Sequence, residues 1–90
     1  MEIEFDQSKR DLTLIERGLD FADAGHVFSG PIMTMDDSRN DYGEPRFITF
    51  GLLSNRMVVL VWTPRGAVRR IISMRFANER EISKYSLRMG

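Results

Sequence analysis

RRIISMRFANEREISKY, Arg69–Tyr85, carries the two signals on which the fold turns. Its first half is bulky, β-branched and short, the pattern of a strand, and the strand is expected over Ala67–Phe76. Asn78 then stands where a helix N-cap belongs, with Glu81 three residues on, a variant of the capping box that uses Asn. Ile82, Tyr85 and Met89 supply an apolar stripe, so a C-terminal helix follows the strand directly. Strict alternation along the strand predicts that Arg69, Ile71, Ser73 and Arg75 share one face, and Arg70, Ile72, Met74 and Phe76 the other. The apolar members mark the second face as core. Arg69, Ser73 and Arg75 would then border a polar concavity. Arg70 is the exception: it sits past the core at the strand's start or is buried against a carboxylate.

Working outward from this stretch, RMVVLVWT (Arg56–Thr63) is nearly all apolar and reads as the central strand. Ser54-Asn55 separates it from RFITFGLL (Arg46–Leu53) as a tight hairpin turn, and Pro64-Arg65-Gly66 turns the chain on its other side. DDSRNDYGEPR (Asp36–Arg46) is turn chemistry throughout, preceded by a strand at Ile32–Met35. Nearer the start, Glu2–Phe5 alternates as a short first strand. Asp6 caps a helix to Glu16 whose apolar positions are Leu12, Leu14 and Ile15, and Gly18 fits its left-handed end. Asp20 caps a second helix with Phe21, Ala24, Val27 and Phe28 inward. The expected fold is α+β: a short strand, two N-terminal helices, an antiparallel sheet of about four to five strands, and a C-terminal helix.

Ninety residues are expected to form one domain over 1–90. With no cysteine, disulfides, thiolate metal sites and cysteine nucleophiles are excluded. The opening MEIEFDQSK is acidic rather than basic-then-apolar, unlike a signal peptide, and the longest apolar run, Met57–Trp62, is too short to span a bilayer. A cytoplasmic location is the expectation. Net charge is zero but lopsided: residues 1–45 hold eleven acids and four bases, residues 46–90 two acids and nine bases. Eleven of the thirteen bases are arginine, the side chain that grips phosphate or carboxylate with a planar fork. Either the halves pack together and neutralise each other, or the second half presents a basic surface to RNA or to an acidic partner.

RNA cleavage by its own 2′-hydroxyl needs a base, an acid and cations for the charge developing on phosphorus. The arginines suit the last task. His26 is the sole histidine and lies among core positions of the second helix, which favours a structural or surface role. Asp36, Asp37, Asp41 and Glu44 are close in sequence but lack a calcium-loop spacing, so a solvated loop is the simpler reading. No cofactor and no metal is expected.

FDQSK at the start, Gly18–Phe21 (GLDF), DYGEPRF (Asp41–Phe47) and RRIISMRFANEREISKY, in that order, resemble the BrnT family of bacterial type II toxins. The resemblance covers essentially the whole chain. It implies a fold like the RelE ribonucleases, RNA cleavage that arrests translation and growth, and neutralisation by a BrnA-like ribbon-helix-helix antitoxin. The complex would repress its own promoter, reaching operator DNA only through the antitoxin. The family's recurrent polar positions match here at Asp6, Lys9, Glu44, Arg46, Arg70, Ser73, Arg75, Glu81 and Tyr85. On that basis Lys9, Arg46, Arg70 and Arg75 are expected to contact phosphate or stabilise charge. Ser73 and Tyr85 would hydrogen-bond a phosphate oxygen or the 2′-hydroxyl, with Tyr85 alternatively a weak acid. Arg17, Arg69 and Arg80 are expected to contact RNA. Simpler roles stand beside these: Lys9 pairing within its helix, Glu44 and Arg46 pinning the loop, Tyr85 in the core, Glu81 as partner of Asn78. The chain departs from the family at Glu16-Arg17-Gly18, where Lys-His-Gly is usual, and at Thr13, where Asn is usual. An arginine at position 17 holds phosphate but does not shuttle protons as histidine does. The alternative function is therefore a catalytically weak binding module that holds the antitoxin and tunes repression.

Overall fold

The computed structural model describes residues 2–39 and 41–88; Met89, expected on the last apolar stripe, and Asn40, in the polar loop, lie outside them. The elements in chain order are β1 (Glu2–Phe5), α1 (Gln7–Arg17), a 3-10 turn (Phe21–Asp23), α2 (Ala24–Ser29), β2 (Ile32–Asp36), β3 (Phe47–Leu53), β4 (Arg56–Arg65), β5 (Val68–Phe76), α3 (Glu79–Tyr85) and a closing 3-10 turn (Ser86–Arg88). The expected α+β order holds. One sheet runs β1-β5-β4-β3-β2. Its pairs are antiparallel except β1 with β5, which is parallel because α1, α2 and three strands intervene.

Local chemistry explains the joints. Ser54 and Asn55 both take positive φ (51° and 65°), as a two-residue primed hairpin turn requires. The next turn departs from expectation. Pro64 lies inside β4, paired with Arg69, and the chain reverses at Gly66-Ala67 instead. Asp6 caps α1 by accepting from the Lys9 amide, and Gly18 closes it at φ 70°. Asp20 caps the 3-10 turn, not α2, so the expected second helix is split in two. At α3 the capping box is complete: Asn78 accepts from the Glu81 amide, and Glu81 accepts from the Asn78 amide.

The two sheet faces are covered differently. On one, Leu19, Phe21, Ala24 and Val27 bury Val58, Leu60, Trp62, Ile71 and Met74. Gly51 of β3 permits that approach: a Cβ there would stand 2.4 Å from Val27 Cγ1. On the other face α3 covers only one end, with Tyr85 packed on Phe50 beside Met57 and Val59. Helix α1 departs from its expected role. None of its residues is buried, and Leu12 and Ile15 are 56% and 82% exposed. Its anchor is polar, with Arg10 gripping Asp20 side-on through Nε and Nη2. Among the described residues, no helix is long and apolar enough to cross a membrane.

Candidate functional site

The open face owes its composition to one irregularity. Val61 pairs with Ser73, but Trp62 pairs with Ile71, so Ile72 is an extra residue on β5. Such a bulge resets the alternation of the strand. Arg69 and Ile71 before it therefore share the helix-covered face with Met74 and Phe76 after it. Arg70 before it shares the open face with Ser73 and Arg75. The expectation that Arg69, Ile71, Ser73 and Arg75 lie together is thus overturned, because it assumed an unbroken period of two. The buried partners agree. Trp62 and Leu60, across from Ile71 and Met74, belong to one core, while Val59, across from Arg75, belongs to the other.

Rows across the sheet then define a trough. Arg75 lies opposite Val59, Ser73 opposite Val61 and Arg70 opposite Thr63. Successive members are two β4 residues apart, so the three span about 13 Å along the strand. The apolar floor continues through Ile48 and Met35, which pair across β3 and β2. One wall is α3, bringing Glu81 to Arg75 and Tyr85 onto Phe50. Arg46 precedes β3 on the same parity as Ile48 and Phe50. Its guanidinium lies 3.8 Å over the Tyr42 ring and 3.9 Å from Glu44, which also pairs with Arg65. The loop-pinning reading of Glu44 and Arg46 fits this geometry.

Carboxylates set the charge state of the trough. Glu81 takes Arg75 Nη1 at 2.8 Å and Nη2 at 2.9 Å. The Arg75 guanidinium holds the Glu81 carboxyl well below its usual range, at about 2. Arg70 donates from Nη1 to Glu4 at 2.9 Å, which realises the expected pairing with a carboxylate and adds Glu4 to the open face. Sequence reasoning also missed Arg39. It pairs side-on with the buried Asp37, lowering that carboxyl, and its charge is felt at Arg75. The Asp-x-Arg spacing was the available signal, hidden inside a polar loop.

The remaining expected residues do not converge here. Arg69 is on the opposite face, its guanidinium 4.0 Å from the Phe28 ring and 5.2 Å from the Trp62 ring. Arg17 donates to the Met74 carbonyl at 2.9 Å, on the edge of β5 beyond the reach of the four-residue β1. It thereby satisfies a carbonyl on that open edge of the strand. Lys9 is exposed on the first turn of α1, where its backbone amide serves the cap and, among the described residues, no hydrogen bond or ion pair fixes its ammonium. Arg80 is exposed on α3. Tyr85 is buried against Phe50, as the core reading expects, yet among the described residues nothing hydrogen-bonds to its hydroxyl. Cross-neutralisation of the halves is partial. Among the described residues Arg56, Arg69, Arg80, Lys84 and Arg88 have no carboxylate partner within ion-pair distance, whereas Arg46, Arg65 and Arg70 reach acids of the first half.

In chemical terms the trough offers guanidinium forks, a serine hydroxyl, a phenol and a carboxylate above an apolar floor. That set can bind a phosphodiester and stabilise added charge on it. The family model described as "Ribonuclease toxin, BrnT, of type II toxin-antitoxin system" matches residues 5–81. No curated protein compared with the chain matches it.

Proposed function

The chain belongs to the BrnT family of ribonuclease toxins of type II toxin–antitoxin systems, and from that premise we propose that the open sheet face is its RNA-cleaving site. The observation that supports this most directly is the bulge at Ile72, which gathers Arg70, Ser73 and Arg75 on one uncovered face. The reaction is metal-independent transesterification. The 2′-oxygen bonds to the adjacent phosphorus as the bond from phosphorus to the 5′-oxygen breaks, leaving a 2′,3′-cyclic phosphate and a 5′-hydroxyl. Arg75 and Arg70 hold the phosphate and meet the charge that grows on its oxygens, with Arg46 flanking across the sheet. Ser73 donates to a phosphate oxygen. Glu4 holds Arg70 through Oε2 and so orients it, while the 2′-hydroxyl proton passes to water. Tyr85 gives its proton to the departing 5′-oxygen. Lys9, Arg80 and Arg69 lie apart from these groups and serve in longer-range RNA attraction.

The membership also brings a protein antitoxin as partner. We take it to be BrnA-like, with a ribbon-helix-helix domain through which the complex represses its own promoter in the cytoplasm. The test is tightly induced expression of the chain alone in bacteria, beside Arg75→Ala, with growth followed and total RNA mapped for new 5′ ends. Arrest with cleavage for the wild type and neither for the folded variant supports the proposal. Normal growth with soluble, folded wild-type protein refutes it.

That second outcome corresponds to the other reading, a catalytically weak module that mainly holds its antitoxin. One observation favours it: Arg17, standing at the family's histidine position, is spent on the Met74 carbonyl. Restoring histidine separates the two. A wild type that is inert beside an active Arg17→His variant identifies a binding module. Comparable cleavage by both makes the arginine a tolerated structural replacement.

A further inference from the structure

Among the described residues three arginines form bidentate pairs with carboxylates, and they do so by different edges. Arg10 and Arg39 each offer Nε and Nη2, the side-on fork, to Asp20 and Asp37. Arg75 offers Nη1 and Nη2, the end-on fork, to Glu81, while its Nη1 also donates to the Phe76 carbonyl at 3.3 Å. Arg10 and Arg39 have spent the edge best matched to a second oxyanion. Arg75 has kept it, since among the described residues nothing accepts from its Nε. The side chain of Arg75 is 43% exposed and that of Glu81 only 18%. The carboxylate is therefore the more shielded partner and the guanidinium the more open one.

Glu81 is itself fixed. Its Oε1 accepts from the Asn78 amide at 3.0 Å while also accepting from Arg75. Its backbone amide donates to the Asn78 side chain at 2.8 Å. One carboxylate thus couples the start of α3 to the guanidinium plane on β5. A long, flexible side chain on a sheet surface loses its orientation unless something holds it, and misplacing a group in a phosphoryl-transfer site by about 1 Å can cost about a hundredfold in rate.

We infer that Glu81 is a positioning residue for the cleavage reaction: it locks Arg75 end-on so that the Nε/Nη2 edge faces the scissile phosphate. This rests on the proposed cleavage site, and its test separates the two. RNA cleavage is measured for Glu81→Ala, Glu81→Gln, Arg75→Ala, the Glu81→Ala/Arg75→Ala double variant, and Asn78→Ala. In parallel, the Arg75 Nε–H resonance is followed by NMR as a short single-stranded RNA with 2′-O-methyl sugars, which cannot be cleaved, is added to each folded protein.

Glu81→Ala is expected to lower kcat about a hundredfold with KM little changed. Glu81→Gln, which keeps an acceptor for the Asn78 amide, should fall between it and wild type. Glu81→Ala should cause no further loss in the Arg75→Ala background, because Glu81 acts only through Arg75. Asn78→Ala weakens the helix cap but should keep the wild-type rate below its own melting transition. The Nε–H resonance of wild-type Arg75 should move on RNA addition, and in Glu81→Ala it should broaden and cease to respond. A wild type that binds in this way but does not cleave would support the positioning role while removing the cleavage proposal. A folded Glu81→Ala with the wild-type kcat overturns the inference. So does a further loss in the double variant, which would make Glu81 a reacting group in its own right. A wild-type Nε–H indifferent to RNA overturns it as well.

Discussion

Replacing Gly51 by alanine tests how α2 is seated on the sheet. The new Cβ would lie 2.4 Å from Val27 Cγ1 and 3.1 Å from Ile32 Cγ2. Ordinary contact begins near 3.4 Å, so Val27 must retreat by about 1 Å or α2 must lift. Val27 is fully buried and, as a β-branched helical residue, has one strongly preferred rotamer. Overpacking of this kind costs about 1–3 kcal/mol. Loss of glycine's freedom in the unfolded chain returns about 0.4–1 kcal/mol. A net loss of about 1–2 kcal/mol lowers Tm by about 4–8 °C per kcal/mol in a domain of this size. Urea denaturation with unchanged m measures it. The decisive comparison is with Val27→Ala, which alone should cost about 2–3 kcal/mol for two buried methyl groups. In the double variant the alanine methyl occupies space that valine vacated, so the cost should fall short of the sum by about 1–2 kcal/mol. Strict additivity, or a neutral Gly51→Ala, would refute the claimed close approach.

Other predictions concern the open face. Arg70→Ala should abolish RNA cleavage whereas Arg69→Ala should leave most of it, since the bulge puts them on opposite faces; equal losses would contradict that assignment. Tyr85→Phe keeps the stack on Phe50, so its Tm should stay near wild type while the cleavage rate drops at least tenfold, about 1.4 kcal/mol of barrier. An unchanged rate would return Tyr85 to the core alone. Glu4→Gln should slow cleavage with the fold intact, read as kcat in the same assay. The Glu81 carboxyl, lowered from 4.5 to about 2 by Arg75, stabilises the fold fully above pH 4.5, and that contribution is lost as pH falls toward 2. The full depression corresponds to about 3 kcal/mol, which screening at half-exposed Arg75 reduces to about 1 kcal/mol. The stability gap between wild type and Glu81→Gln in urea should therefore close on acidification from pH 5 to pH 2, and a gap independent of pH would show that the pair contributes nothing.

The exposed α1 stripe shows where local pattern misleads. Leu12 and Ile15 have helical spacing, and the helix forms, capped by Asp6 and ended by Gly18. Spacing reports which residues share a helix face, not whether anything packs on it. Here the chain turns inward only at Leu19 and Phe21, and α1 is held at its flank by Arg10 and at its end by Arg17.

The sequence by itself determined the element order, the Ser54-Asn55 hairpin, the caps at Asp6 and Asn78, and a central Arg56–Thr63 strand. Each of these is set by the conformational preference of a few neighbouring residues or by a short apolar run. Family membership was likewise legible, in blocks of residues close together in the chain. The tertiary structure alone decided which arginines meet. A bulge arises from how one strand's hydrogen-bond ladder fits its neighbour's, so nothing within Arg69–Phe76 announces that Ile72 is unpaired. That single misfit moved Arg70 to the side of Arg75 and Arg69 away from it. In the same way only the folded chain could bring Glu4 to Arg70 and Arg39 toward Arg75, because charges distant in sequence select partners by the geometry that packing provides.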